Sequence, residues 1–371
     1  MDSVIDRPTL SLPLSEVDPI RRLHGQWWRR ALPGHIDNSD GGLYQRFRHV
    51  PPLPEQWMDA DGLMLEPSML SPEEIQPAPW VPQTGPSWHS QVAFNALFPN
   101  HRIPFIRGIM GCGLRVSTIA ETIWPRPYLP EGWYRLPDQG FRPRWDWLDK
   151  LVEFLEFIKA RYAPDRCVLS PDYIACGMGD LFVEMLGTQQ AYLEFHDHPE
   201  EVKRLIERIT DAWIKQLEVQ FQVVPQIDAG TVNQYGIWSV GSFVKFSEDR
   251  SINLSPAQFR EFLQPSMQRV LDRFDANIVH THSGGDLPEW VVGMRGLTAI
   301  EMGLDPSGPT VEELIPRLNR LLERVPMIFV GSVRESELAM LKERVRPGGF
   351  WIDVSRVPDD AVITDYSWFE K

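Results

Sequence analysis

The sequence predicts an α/β protein: a (β/α)8 barrel of the TIM type with an irregular, Pro- and Trp-rich N-terminal extension. Over residues 278–354 short apolar runs alternate with amphipathic stretches across short loops, the pattern of βα units and a parallel sheet. Counted from Ile103, the chain offers about seven strand candidates, and Gly62–Leu65 offers one more. No Gly-x-Gly-x-x-Gly follows the first strand, so an open dinucleotide-binding sheet fits less well. Neither an internal repeat nor a low-complexity linker divides the chain. It reads as one barrel over 101–371 with an arm over 1–100 packing on it.

The elements follow in order. Arg21–Ala31 has the aromatic and basic faces of a short helix. Pro51–Pro54 and the stretch Pro77–Pro86 exclude long helix and central strand, so this part reads as an extended arm anchored by Trp57, Trp80 and Trp88. Pro104–Gly111 is a short apolar run closed by glycines and is predicted to be a buried strand. Trp145–Tyr162 is an amphipathic helix with Leu148, Leu151, Val152, Leu155 and Ile158 on one stripe. Cys167–Ala175 is strand-like, and Gly179–Tyr192 is helical. The longest helix is predicted over Pro199–Phe221, with Asp197 as its N-cap and Pro199 in its first turn. Gln226–Trp238 offers another strand, and Ser255 with Pro256 opens a helix that runs to Phe274. Strands 278–282, 298–304, 327–331 and 349–354 then alternate with helices 287–294, 310–324 and 334–345.

Composition bounds the function. The 371 residues are 43% hydrophobic and 24% charged, enough for a full core. A net charge of −14 argues against a nucleic-acid partner and against a polybasic membrane patch. No run approaches the ~18 apolar residues of a membrane span. The start Met1–Asp6 is acidic and has no signal-peptide core. Cys112, Cys167 and Cys176 are odd in number and form no Cys-x-x-Cys, which predicts a reduced, cytoplasmic chain and excludes a cysteine-rich zinc site.

The densest chemistry lies in Ile278–Asp286. Alternate side chains of a strand share a face, so His280 and His282 point the same way at the strand's C-terminal end, just before Gly284 and Gly285. In a barrel of parallel strands, that end carries the active site.

The order of features resembles the uroporphyrinogen decarboxylase-like superfamily, which includes the decarboxylase and the corrinoid-dependent methyltransferases. The matching pieces are Asp180–Gly187, Asp197–Val202, Glu248–Pro256 with Phe259 and Phe262, His282–Asp286, and Gly348–Phe350. They cover roughly residues 100–355 in the same order. The resemblance implies a TIM barrel and leaves the reaction open. Two departures stand out. The arginine-rich motif with which the decarboxylases grip substrate carboxylates has no equivalent, although Arg102, Arg107 and Arg115 lie nearby. The methyltransferases carry His-x-Cys-Gly and a second, C-terminal cysteine that bind zinc for thiol activation. Here the first cysteine position reads Gly284 and the second falls near Arg356, while the matching His282 remains.

Three readings follow. The first is a rebuilt metal site in which His280, His282 and Glu301 hold Zn²⁺ or another divalent ion, with Asp286 and Asp353 as further oxygen donors. It goes with methyltransferase-type chemistry on a small organic substrate, and it leaves open a corrinoid as methyl donor or acceptor and a corrinoid protein as partner. The second is cofactor-independent decarboxylation, with His282, Asp249 and Glu301 as the acid/base set. The third is a degenerate barrel that only binds a small molecule. In each, Tyr235, Trp238, Trp124 and Arg107 are the candidates for contacting the ligand, and Cys112 is a buried structural thiol.

Overall fold

Residues 8–10, 12, 14–40, 57, 61–75, 77, 90–99, 102–119, 122–162, 167–172 and 176–360 are described by the computed structural model. In chain order the strands are β1 (Ile36–Asp37), β2 (Met64–Leu65), β3 (Ala96–Leu97), β4 (Gly113–Ser117), β5 (Thr122–Arg126), β6 (Val168–Leu169), β7 (Gly230–Val232), β8 (Trp238–Val240), β9 (Phe243–Ser247), β10 (Ala276–His282), β11 (Ala299–Gly303), β12 (Met327–Arg334) and β13 (Phe350–Val357). A six-stranded sheet in the order β1-β13-β12-β11-β10-β9 forms the centre, and every pairing in it is parallel. β3 and β6 make a further parallel pair. The molecule is thus an α/β protein with a mainly parallel central sheet; among the described residues the pairing does not run unbroken around a ring.

The C-terminal part follows the predicted alternation closely, because each strand is apolar on both faces and each helix has one apolar stripe. Helices Val311–Leu322 and Glu335–Arg344 return the chain from β11 to β12 and from β12 to β13. Thr310 caps the first of these: its hydroxyl accepts the Glu313 N–H while the Glu313 carboxylate accepts the Thr310 N–H. The helix Trp145–Tyr162 has its predicted bounds. The longest helix is Pro199–Val223, with Val202, Leu205, Ile206, Ile209, Trp213 and Leu217 buried.

Other expectations change. Pro104–Gly111 is not a strand: Phe105–Ile109 is a short helix, and the strand β4 follows it. An apolar run of this length suits either state. In the helix Gly108 lies against Trp147, where a Cβ would sit 2.7 Å from the indole. The segment Gly179–Tyr192 is broken at Gly187 (φ +89) into Met178–Leu186 and Thr188–Asp197. Asp197 ends the second of these helices rather than capping the next, whose N-cap is His198. The N-terminal helix is longer than Arg21–Ala31 suggested; it runs over Leu14–Trp28 and buries Val17, Ile20, His24 and Trp27 on one stripe. β2 pairs antiparallel with β4, and β7 with β8, so neither Gly62–Leu65 nor Gln226–Trp238 adds to the parallel sheet. β9 was hidden by the lysine in its apolar run Phe243–Ser247. Of the arm's anchors, Trp57 is buried, while Trp80, Trp88 and most of the Pro-rich stretches lie outside the described residues. Cys112, Cys167 and Cys176 are free and buried. No helix of the described residues is long and apolar enough to cross a membrane.

The β7–β8 turn abuts β3 through Gly236, which has φ +75. Its carbonyl accepts the Phe94 N–H, and a Cβ on it would lie 2.0 Å from the Phe94 carbonyl oxygen. Gly236→Ala is expected to lower stability by about 2 kcal/mol or more, read from urea unfolding. An unchanged midpoint would show that this crossing relaxes freely.

Candidate active site at the end of β10

Parallel pairing places His280 opposite Glu301 of β11 and opposite Ser247 of β9. The Nδ1 of His280 lies 2.7 Å from Glu301 Oε1. The other carboxylate oxygen faces Lys245 Nζ at 3.5 Å, and both of those side chains are fully buried. Burial alone would drive Glu301 neutral. The Lys245 and His280 charges, with hydrogen bonds from His280 and the Tyr235 hydroxyl, instead pull it down to about 2. Glu301 is therefore a permanent anion behind His280.

His282, two residues on, repeats the arrangement. Its Nδ1 lies 2.7 Å from Asp305 Oδ1, in the loop after β11. The second oxygen of Asp305 accepts the Gly284 N–H at 2.8 Å and the Ser283 hydroxyl at 3.2 Å. Arg317 braces the same loop from the outside by donating to the Ser283 carbonyl. The Nε2 of His282 faces Asp249 Oδ1 at 3.5 Å. Burial works against a charged ring here, but two flanking carboxylates outweigh it and raise His282 to about 10. Burial would in turn raise Asp249, and the His282, His280 and Lys245 charges keep it below its ordinary value.

With both Nδ1 atoms held by carboxylates, the Nε2 atoms are left to face inward. His280, His282 and Asp249 each offer one ligand atom, and these atoms lie within 4.8 Å of one another. Bonds of ~2.0–2.2 Å to one divalent ion would draw these three atoms closer together. Carboxylates on the far ring nitrogen are the usual support of metal-binding histidines. The donor set therefore fits such an ion. His282 and Asp249 line a cavity of about 210 Å³, together with Asp286 and the apolar side chains of Ile252, Leu254 and Trp290.

Two further carboxylates lie behind Asp249. Asp180 and Glu248 are buried side by side; burial and the Asp249 charge push Asp180 up to about 7, and burial and the Asp180 charge raise Glu248 well above the usual range.

The predicted residues separate into two groups. His280, His282 and Asp249 come together. Glu301 stands behind His280, ion-paired to Lys245, and Asp249 takes the carboxylate place in the ligand group. Asp286 lines the cavity, whereas Asp353 is buried against the Asn38 amide. Tyr235 is buried beside Glu301. None of Tyr235, Trp238, Trp124 and Arg107 lines this cavity. Trp238 is buried, with its indole N–H on the Ile227 carbonyl. Trp124 is half-exposed on β5, and the Nε–H of Arg107 is shared between the two carboxylate oxygens of Glu184 at 2.8–2.9 Å. Burial pushes the Cys112 thiol upward, in keeping with a structural role.

Lys245, Asp305 and Arg317 carry site roles that the sequence reading missed. A lysine inside an apolar strand is the one available signal for Lys245. Asp305 follows a strand end, but nothing local marks it.

No family model matches the sequence, and no curated protein does. Among solved structures, a methyltransferase from Methanosarcina mazei is similar in fold. Its TM-score is 0.55 at 12% identity, over 95% of this chain and 96% of that one. At this identity the likeness is one of fold.

In the metal-free protein, His282 is expected to remain an imidazolium across pH 5–8, visible as a ring proton resonance that does not titrate there. Its pKa is raised from the ordinary 6.5, so the stability it contributes is complete below 6.5 and is lost as pH rises through about 10. His282→Gln is expected to remove that alkaline slope. An imidazole titrating near 6.5 would refute the arrangement.

Proposed function

We propose that this chain is a divalent-metal enzyme of methyltransferase type acting on a small organic substrate, built as a closed (β/α)8 barrel of the uroporphyrinogen decarboxylase-like superfamily. The observation that carries the reading is the pair of imidazoles, each oriented by its own carboxylate toward the Asp249 carboxylate. His280, His282 and Asp249 would hold the ion. When bound, a divalent ion in such a site supplies Lewis-acid activation of a coordinated substrate atom. With nitrogen and oxygen donors and no thiolate, the set suits Zn²⁺, Fe²⁺ or a similar ion.

The chain's own residues do the rest. Glu301 and Asp305 fix the two ring orientations and tautomers. The apolar wall of Ile252, Leu254 and Trp290 would take the substrate body. A cavity of about 210 Å³ has room for a small molecule and not for a tetrapyrrole, so a corrinoid methyl carrier would stay on a partner protein.

A second reading rests on His282 itself. Held as an imidazolium at the cavity wall, with Asp249 beside Nε2, it is a proton source for the carbon left by decarboxylation. The two readings separate on metal dependence.

Purified protein is expected to carry about one divalent ion per chain. His280→Ala, His282→Ala and Asp249→Ala should each lose it, and Glu301→Gln should weaken it about 10–100-fold. Because His282 must release a proton to bind, affinity should rise about tenfold per pH unit below its pKa, with proton release seen by calorimetry in buffers of differing ionisation enthalpy. A metal-free preparation with full activity would exclude this reading and leave the acid/base one.

A further inference from the structure

Asp249 sits at the start of the turn Asp249–Asn253, directly after β9 and Glu248. Two buried carboxylates cross behind it. Asp180, the third residue of helix Met178–Leu186, reaches into the turn and accepts the N–H groups of Asp249 at 3.2 Å and Arg250 at 2.8 Å, and the Ser247 hydroxyl at 3.2 Å. Glu248 reaches the opposite way and accepts the Met178 N–H at 2.8 Å and the Gly179 N–H at 2.9 Å. Each carboxylate thus satisfies backbone donors that the other's segment leaves free.

The crossing demands contact that only glycine permits. A Cβ at Gly177 would lie 2.3 Å from the Ser247 carbonyl oxygen and 2.4 Å from Glu248 Oε1, and one at Gly179 would lie 2.7 Å from Glu248 Oε2. Farther along the turn, Tyr192 donates to the Arg250 carbonyl and accepts from the Asn253 amide. Packing alone would not choose this design: burying two adjacent carboxyl groups is costly, and apolar contacts would anchor the helix at less cost. What they hold is the backbone on either side of Asp249.

We propose that Asp180 and Glu248 are positioning residues, a reciprocal brace that fixes the backbone of residue 249 so that its carboxylate meets His280 and His282 at one point. This rests on the metal reading above. A displacement of about 1 Å at a ligand's backbone is enough to spoil such a site.

The test measures Co²⁺ affinity and visible ligand-field bands for the full chain and for Asp180→Asn, Asp249→Asn and the double variant. An asparagine replaces one acceptor with an N–H₂ facing backbone donors, which unlatches the brace without changing size. Asp180→Asn is expected to weaken Co²⁺ about tenfold or more and to shift the bands, as loss of a well-placed oxygen ligand does. In the Asp249→Asn background the same change should add less than about twofold, because the brace acts through residue 249. Equal losses in both backgrounds would mean general loosening and would overturn the brace, as would an Asp180→Asn variant that binds Co²⁺ like the wild type while Asp249→Asn does not. If Asp249→Asn itself binds Co²⁺ normally, the metal reading fails and takes the brace with it. Should Asp180→Asn not fold, Glu248→Gln enters the same comparison from the other half of the crossing.

Discussion

The charge of Glu301 is the constraint on which the mouth of this sheet depends. A carboxylate with no exposure is ruinous unless its charge is met. Here it is met twice, by the equally buried Lys245 on the preceding side of the sheet and by the ring of His280 in the next strand. Lys245 on β9, His280 on β10 and Glu301 on β11 come from three successive parallel strands, so a slip of one residue in either ladder would strand a charge in the core. The pleat then carries His282 to the same face, two residues nearer the opening.

A common plan governs the site. Short, inward-facing groups are each held by a carboxylate that does not itself face the cavity: Glu301 for His280 and Asp305 for His282. Strands supply the histidines and loops supply Asp249 and Asp305, so the rigid sheet sets direction and the loops set closure. The shared architecture with a methyltransferase at 12% identity fits this division of labour. A parallel sheet tolerates near-complete replacement of its side chains, while chemistry is written in a few positions at the strand ends.

Much of this was visible in the sequence, and the limits are physical. Residues 276–357 were legible because buried parallel strands are continuous apolar runs and their helices carry clean stripes. Pro104–Gly111 is ambiguous because six of its eight residues are buried and leave no readable period. β9 was missed because Lys245 breaks its apolar run, and the partner that makes that lysine tolerable lies 56 positions away in β11. For the same reason the sequence offers Glu301 as a ligand. Sequence spacing put it beside His280, but only the fold reveals that Lys245 claims its second oxygen. Asp249 was named as an acid or base, and its approach to both histidines depends on a loop conformation that no local pattern encodes.

By its resemblance to the corrinoid-dependent methyltransferases, Gly284 falls at the cysteine of their His-x-Cys-Gly motif. The space around it is nearly open, and the closest atom to an added Cβ is the Asp305 oxygen that accepts the Gly284 N–H, at 3.3 Å. A side chain at 284 would therefore press on the group that orients His282. A side chain at 284 and the Asp305 carboxylate therefore compete for the same space. A substitution at 284 would thus be felt first at His282, through a shift of the Asp305 side chain and not through the backbone.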